Sequence, residues 1–190
     1  EAKDLCNVIL LTQEAVADLQ GQALSKGITL ELTVDEEEKT FWVQGDETLI
    51  RQAISNLIDN AIKYSPYQSV IQMNIARKDS SVEFKIEDNG IGIAPSDLPF
   101  IFEEFYQVRG DSNKEGIGLG LTLVRSIAEA HGGQVWVKSA YDSGTAFGLQ
   151  IPLVDQALLE TAVNQETVAN NNPVAASENG NSVQSVKSSH

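Results

Sequence analysis

The stretch from Asp46 to about Tyr64 sets the tightest limit on what this chain can fold into. Leu49, Ile50, Ala53, Ile54, Leu57, Ile58 and Ala61 recur at helical spacing and form a broad apolar stripe. Asp46 is placed as the N-cap, and Ser65-Pro66 ends the helix, because a residue before proline is pushed out of the helical region. A face that wide has to be buried against a second layer. Strands supply one. Ile28 to Val34 alternates, with Ile28, Leu30, Leu32 and Val34 on one face. Ile71, Met73 and Ile75 mark a second strand and Val82, Phe84 and Ile86 a third, with Asp79-Ser80-Ser81 as the hairpin turn. A last pair, Gln134 to Ser139 and Thr145 to Ile151, turns at Asp142-Ser143-Gly144. Two more helices are predicted: Thr12 to Ser25, closed by Gly27, and about Leu119 to His131, closed by Gly132-Gly133. Hairpins imply antiparallel or mixed pairing, and helices and strands do not strictly alternate. The expected fold is α+β: a two-layer sandwich of a mixed, mostly antiparallel sheet with helices on one face.

The composition changes near Pro152. From Asp155 to His190 the chain is rich in Asn, Ser, Gln, Ala and Val and has no aromatic residue, so it cannot bury enough surface to order itself. Residues 1–154 are therefore expected to form one domain and 155–190 a polar, mostly disordered tail, with a short helix through Leu158 and Leu159 at its start. A net charge of -14 argues against broad electrostatic binding to nucleic acid or anionic membrane, though not against a local phosphate pocket. The single cysteine, Cys6, excludes an intrachain disulfide framework, fits a reducing compartment and reads as a small core residue. No stretch approaches the roughly 20 apolar residues of a membrane span. Glu1-Ala2-Lys3-Asp4 is not a signal peptide and lacks an initiating methionine, so a piece of a longer protein is expected.

Three constellations could carry chemistry. Asn56 and Asn60 lie four residues apart on one face of the central helix, with Lys63 and Tyr64 a turn later. Asparagine is a mediocre helix former, and an amide oxygen is a hard neutral ligand suited to Mg2+; a solvated polar face is the equal alternative. Lys63 adds a point charge for phosphate. Second, Asp88-Asn89-Gly90-Ile91-Gly92-Ile93 follows a strand directly. Asp88 can accept a hydrogen bond from an exocyclic amine, the glycines let the backbone approach a flat ring, and Ile93 can lie against it. An ordinary Asp-Asn-Gly turn fits these residues as well. Third, Gly116-Ile117-Gly118-Leu119-Gly120-Leu121 opens a helix, where exposed N–H groups and the helix dipole favour an anion; the alternative is a flexible loop. No Walker A loop, dinucleotide fingerprint or protein-kinase signature is present. Between the last two lies Phe100-Ile101-Phe102-Glu103-Glu104-Phe105-Tyr106, whose aromatics read as core or as the hinge of a polar lid.

In this order, these pieces closely resemble the catalytic domain of bacterial-type sensor histidine kinases. That domain belongs to a superfamily with DNA gyrase, heat-shock chaperones and mismatch-repair ATPases. Asn56 to Tyr64 resembles the N box, Asp88 to Gly92 the first glycine box, Phe102 to Tyr106 the F box, and Gly116 to Leu121 the second glycine box. Gly144-Thr145 is similar to a late glycine-threonine element near the adenine. The resemblance covers about Asp4 to Leu153. It implies that Asn60 coordinates Mg2+, that Asn56 supports metal and phosphate, and that Lys63 and Tyr64 contact phosphates and ribose. Asp88 would bind the adenine amine, with Gly90 and Gly92 shaping that wall. Gly116, Gly118, Leu119, Gly120 and Leu121 would cradle phosphates or close the lid, and Thr145 would reach the Asp88 region through a water. ATP and Mg2+ are the implied cofactors. Where the family often reads Phe-Tyr-Arg, this chain reads Phe105-Tyr106-Gln107, with Arg109 the nearest arginine.

The superfamily's hydrolases resemble one another in carrying a glutamate at the position of Asn56, and an amide cannot serve as a general base. The implied reaction is transfer of the γ-phosphoryl group to a histidine, with Asn56, Lys63 and Arg109 as the catalytic set. The chain's two histidines, His131 at a helix end and His190 at the last position, lack the context of a phosphoacceptor. The acceptor is therefore expected on a separate dimerisation/phosphoacceptor domain, with a response regulator downstream. The resemblance also implies a cytoplasmic, monomeric fragment with no nucleic-acid or membrane contact. The alternatives are a regulatory nucleotide-binding or pseudokinase module and an anti-sigma-type serine kinase.

Overall fold

The computed structural model describes residues 4–35, 40–104, 106 and 120–155. In chain order the elements are β1 (Asp4–Asn7), α1 (Val8–Ser25), β2 (Thr29–Val34), β3 (Trp42–Gly45), α2 (Glu47–Tyr64), β4 (Val70–Lys78), β5 (Ser81–Asp88), a short 3-10 turn (Leu98–Phe100), α3 (Gly120–Ala130), β6 (Gln134–Ser139) and β7 (Thr145–Pro152). Contacts group the chain into Glu1–Val154 and Asp155–His190, and every element named lies in the first. The expected helix through Leu158 and Leu159 lies outside the described residues.

Five strands form one sheet in the order β2-β4-β5-β7-β6. Only β2 and β4 pair in parallel; the other three pairings are antiparallel. Strand alternation decides which face the helices cover. Ile71, Met73 and Ile75 on β4, Val82, Phe84 and Ile86 on β5, and Phe147, Leu149 and Ile151 on β7 are buried. They face a helical layer in which α2 lies between α1 and α3 and contributes Ile50, Ala53, Ile54, Leu57, Ile58, Ala61 and Ile62 to the core. The opposite face carries Gln72, Asn74, Lys85, Glu87 and Gln150. Its one buried acid, Glu83, accepts hydrogen bonds from the Trp136 indole and the Gln150 amide, and that indole lies flat over Gly148, where any Cβ would collide with it.

The expected two-layer α+β architecture is therefore the observed one, with three differences. A second, two-stranded sheet, β1–β3, had no counterpart in the sequence reading; its strands are only four residues long, too short for alternation to register. Cys6 is buried within it. α1 starts at Val8 rather than Thr12, because Asn7 caps it by accepting from the Ile9 N–H, and Val8 and Leu11 are buried. The β4–β5 turn is also tighter than expected: Lys78 pairs with Ser81, leaving Asp79-Ser80 as the loop, with Asp79 in the left-handed region at φ 54.

Candidate functional site

The site is built where β5 ends and α2 stops. Asp46 caps α2 by accepting from the Leu49 N–H at 3.0 Å. One flank of the helix then carries Asn56 and Asn60, both half-buried. The Asn56 amide nitrogen donates to the Gly120 carbonyl at 3.4 Å, a long bond that reaches the first described turn of α3. Asn56 is thus engaged between two helices rather than simply solvated. At the far end the Lys63 ammonium lies 5.7 Å from the centre of the exposed Tyr64 ring.

Asp88 is the last residue of β5 and pairs in register with Thr145, the first of β7. It is 9% exposed. Its carboxylate accepts from the Gly90 N–H at 2.8 Å and from the Thr145 backbone. Burial nevertheless pushes its pKa above the ordinary carboxylate value, the two backbone bonds opposing this only in part. A dehydrated acceptor of this kind suits a donor that arrives with a ligand. Its surroundings are glycine for steric reasons. A Cβ on Gly90 would lie 2.5 Å from the Tyr64 carbonyl oxygen, so the Asp88 loop is pressed against the end of α2. Gly92 takes φ 69, and a Cβ there would run into the Ala140 carbonyl.

One residue that sequence reasoning missed organises this wall. Ser139 Oγ accepts from the Ile93 N–H at 2.8 Å, donates to the Gly144 carbonyl at 2.8 Å and bonds Thr145 Oγ1 at 2.9 Å. Its single proton is used on Gly144, so the Thr145 hydroxyl donates to it. Only the β6–β7 register, which sets Ser139 opposite Thr145, reveals this. Ile93 is half-buried and packs against the core.

The aromatic stretch is anchored to the same end of the molecule. Tyr106 donates its hydroxyl to Asp97 at 2.6 Å and stacks at a tilt on Phe100, centroids 5.6 Å apart. Phe102 meets Phe147 edge-on at 6.3 Å, and Thr122 of α3 donates to the Phe102 carbonyl at 3.1 Å. Gly120 and Leu121 form the first described turn of α3. Phe105, Gln107, Arg109, Gly116, Gly118 and Leu119 lie outside the described residues.

His131 has a structural task. Its Nε2 accepts from the Asp46 N–H at 3.0 Å and its Nδ1 donates to the Ile127 carbonyl at 2.7 Å, which fixes the tautomer and ties the end of α3 to the start of α2. It is packed against Gly45, where a Cβ would strike the ring. His190 lies outside the described residues. A separate groove beside His131 is lined by Asp4, Glu14, Asp18, Asp46, Glu47 and Arg51. Five carboxylates against one arginine repel a polyphosphate, so this groove does not suit a phosphate ligand.

Residues 45–155, more than half the chain and all of the site just described, match the family described as histidine kinase-, DNA gyrase B-, and HSP90-like ATPase. The chain belongs to this ATPase family. It is 40% identical over 144 residues, 75% of its length, to the adaptive-response sensory kinase SasA of Synechocystis sp., and covers 37% of that protein. It is 40% identical over 119 residues to the sensor-like histidine kinase SenX3 of Mycobacterium tuberculosis, covering 60% of this chain and 28% of that protein. The chain thus spans only 28% to 37% of the length of these relatives. Among solved structures, the mycobacterial sensor histidine kinase MprB superposes with a TM-score of 0.70 at 26% identity, covering 80% of this chain and 97% of that one. Full-length ShkA, solved in complex with AMPPNP, gives 0.66 at 30% identity, over 76% of this chain and 29% of that one. The recognised family and fold are thereby established for this ATPase-family domain. No helix among the described residues is long and apolar enough to cross a membrane.

Proposed function

We propose that this domain binds Mg-ATP where the end of α2 meets the Asp88–Ile93 loop and donates the γ-phosphoryl group to a histidine on a separate dimerisation/phosphoacceptor domain. The observation that carries the reading is the junction of Asp88, Gly90 and Tyr64. A buried, dehydrated acceptor sits against the end of the helix that bears the Asn56 and Asn60 amides. Asp88 takes the adenine amine, Gly90 and Gly92 form the close wall, and Thr145 supports Asp88 through Ser139. Tyr64 and Lys63 meet ribose and phosphates, and Gly120 and Leu121, with the glycines before them, hold the phosphate tail. Among the described residues no group of three His, Cys, Asp or Glu could cage a metal. The Asn60 amide with phosphate oxygens and waters is the donor set that Mg2+ accepts. When bound, Mg2+ neutralises charge on the phosphates.

Asn56 directs the chemistry. Its amide binds and orients but takes no proton, so it activates no water, while a neutral imidazole attacks without such help. In the parent protein the phosphoryl group then passes to a response regulator, as in two-component signalling. The fragment itself is cytoplasmic and monomeric.

Calorimetry with Mg-ADP and Mg-ATP tests the site. Asn60→Ala should weaken binding by about tenfold or more in the presence of Mg2+ and change little with EDTA, because it removes a metal ligand rather than a base contact. Failure of both nucleotides to bind the unaltered domain sinks the reading. Supplying a dimerisation/phosphoacceptor fragment then tests transfer. Acid-labile phosphate on its histidine is expected; binding without transfer would make the domain a regulatory module instead.

A further inference from the structure

Lys26 leaves its own helix to serve another. It follows α1 as the C-cap residue, and Gly27, at φ 65, turns the chain into β2. Its side chain crosses to the last turn of α2, where Nζ donates to the carbonyls of Ile62 at 2.7 Å, Lys63 at 3.2 Å and Ser65 at 3.0 Å. The Tyr67 ring lies 5.4 Å from the same ammonium. The last carbonyls of a helix have no partners within it and carry the negative end of its dipole. A cation that satisfies three such carbonyls at once locks the turn. This lysine comes from outside the helix, 36 residues before the first carbonyl it caps.

The locked turn is the one that carries Lys63 and Tyr64, and its Tyr64 carbonyl is the surface against which Gly90 is pressed. We propose that Lys26 is a positioning residue for the nucleotide site. It holds the end of α2 in the binding-competent geometry before nucleotide arrives, so that the Asp88–Gly90 wall and the Asn60–Tyr64 segment keep their spacing. The inference rests on the proposed function for what the site binds, but the locking of the turn does not. Without Lys26 three carbonyls lose a charged donor, the last turn frays, and ligand has to reorder it on binding. Apparent affinity falls by the fraction of time the turn is formed.

The experiment combines nucleotide-free amide exchange with Mg-ADP calorimetry on Lys26→Met, Lys26→Gln and Lys26→Arg. In Lys26→Met the amides of Ile62 to Ser65 should exchange about tenfold faster while those in the first turns of α2 do not change, and Mg-ADP should bind roughly five- to tenfold more weakly. Lys26→Arg, which keeps charge and donors, should restore most of both, and Lys26→Gln should fall between them. Unchanged exchange at Ile62–Ser65 overturns the proposal, as does faster exchange with affinity within twofold of the unaltered domain. So does an arginine variant no better than methionine. If the unaltered domain binds no Mg-ADP, the nucleotide reading fails, and with it the positioning role; the exchange data still report whether Lys26 locks the turn. Should Lys26→Met not fold, the ranking of Gln against Arg decides the same question.

Discussion

Replacing Asp88 with alanine should lower Mg-ADP affinity by roughly 100-fold while leaving the domain folded. A hydrogen bond to a charged group contributes about 1.5–3 kcal/mol, and its loss inside a dehydrated wall falls at the upper end of that range. The fold loses little, because burial holds the Asp88 pKa above its ordinary value. A carboxyl raised in the folded state adds stability below its unfolded pKa, and that contribution is lost as pH rises through the folded pKa. Wherever Asp88 is ionised, its burial is therefore a cost to the fold. The same shift sets a pH dependence for binding. As pH falls through the raised pKa, the carboxylate gains a proton and ceases to accept freely, so affinity should decline above the ordinary carboxylate range. Calorimetry from pH 8 to pH 4 reads this directly; a wild-type profile that runs parallel to that of Asp88→Ala would remove Asp88 from the base contact.

Gly144→Ala should cost more stability than any exposed substitution in the domain, about 3 kcal/mol or more and roughly 10 °C in Tm. Two penalties combine. Gly144 stands at φ 78, which an alanine adopts only under strain, and the added Cβ would collide with the Asp88 carbonyl. That atom is backbone in the central strand and cannot swing aside. The collision falls where β7 meets β5, so the Asp88–Thr145 pairing gives way and nucleotide binding goes with it. Gly21→Ala is the matched control. Gly21 lies inside α1 with nothing within 4 Å of the added methyl, so there the same substitution should stabilise by about 0.5–1 kcal/mol. Thermal denaturation of the pair decides the matter: equal shifts, or a Gly144 variant that melts like wild type, would contradict the packing described.

What the sequence made legible follows from range. The core face of α2 was readable because seven apolar residues repeat through nearly four turns, and each of Ile50, Ala53, Ile54, Leu57, Ile58 and Ala61 is buried. Leu49 alone is only half-buried, at the first turn. Asp88 was readable because a strand ending in Asp-Asn-Gly-Ile-Gly is a local signal. Ser139 was not: its role needs the pairing of β6 with β7 and the approach of the loop that carries Ile93, 46 residues away. Lys26 and His131 were opaque for the same reason, since their partners on α2 lie 36 and 85 residues off. Two of the strands were missed because four residues hold too little periodicity to stand out.

Loop-closure entropy predicts that the pairing of Asp88 with Thr145 comes late in the assembly of the domain. β4–β5 and β6–β7 are each joined by a short turn and close cheaply, whereas β5–β7 brings together residues 57 apart along the ladder's near end. Each hairpin closes locally, the sheet is complete only when the two pair, and the Asp88 wall lies at that seam. Thr145→Ser should then accelerate unfolding and leave the folding rate almost untouched, a φ-value near zero. A nucleotide that fills this seam would act as a clasp on the final step, slowing the first parting of the two halves.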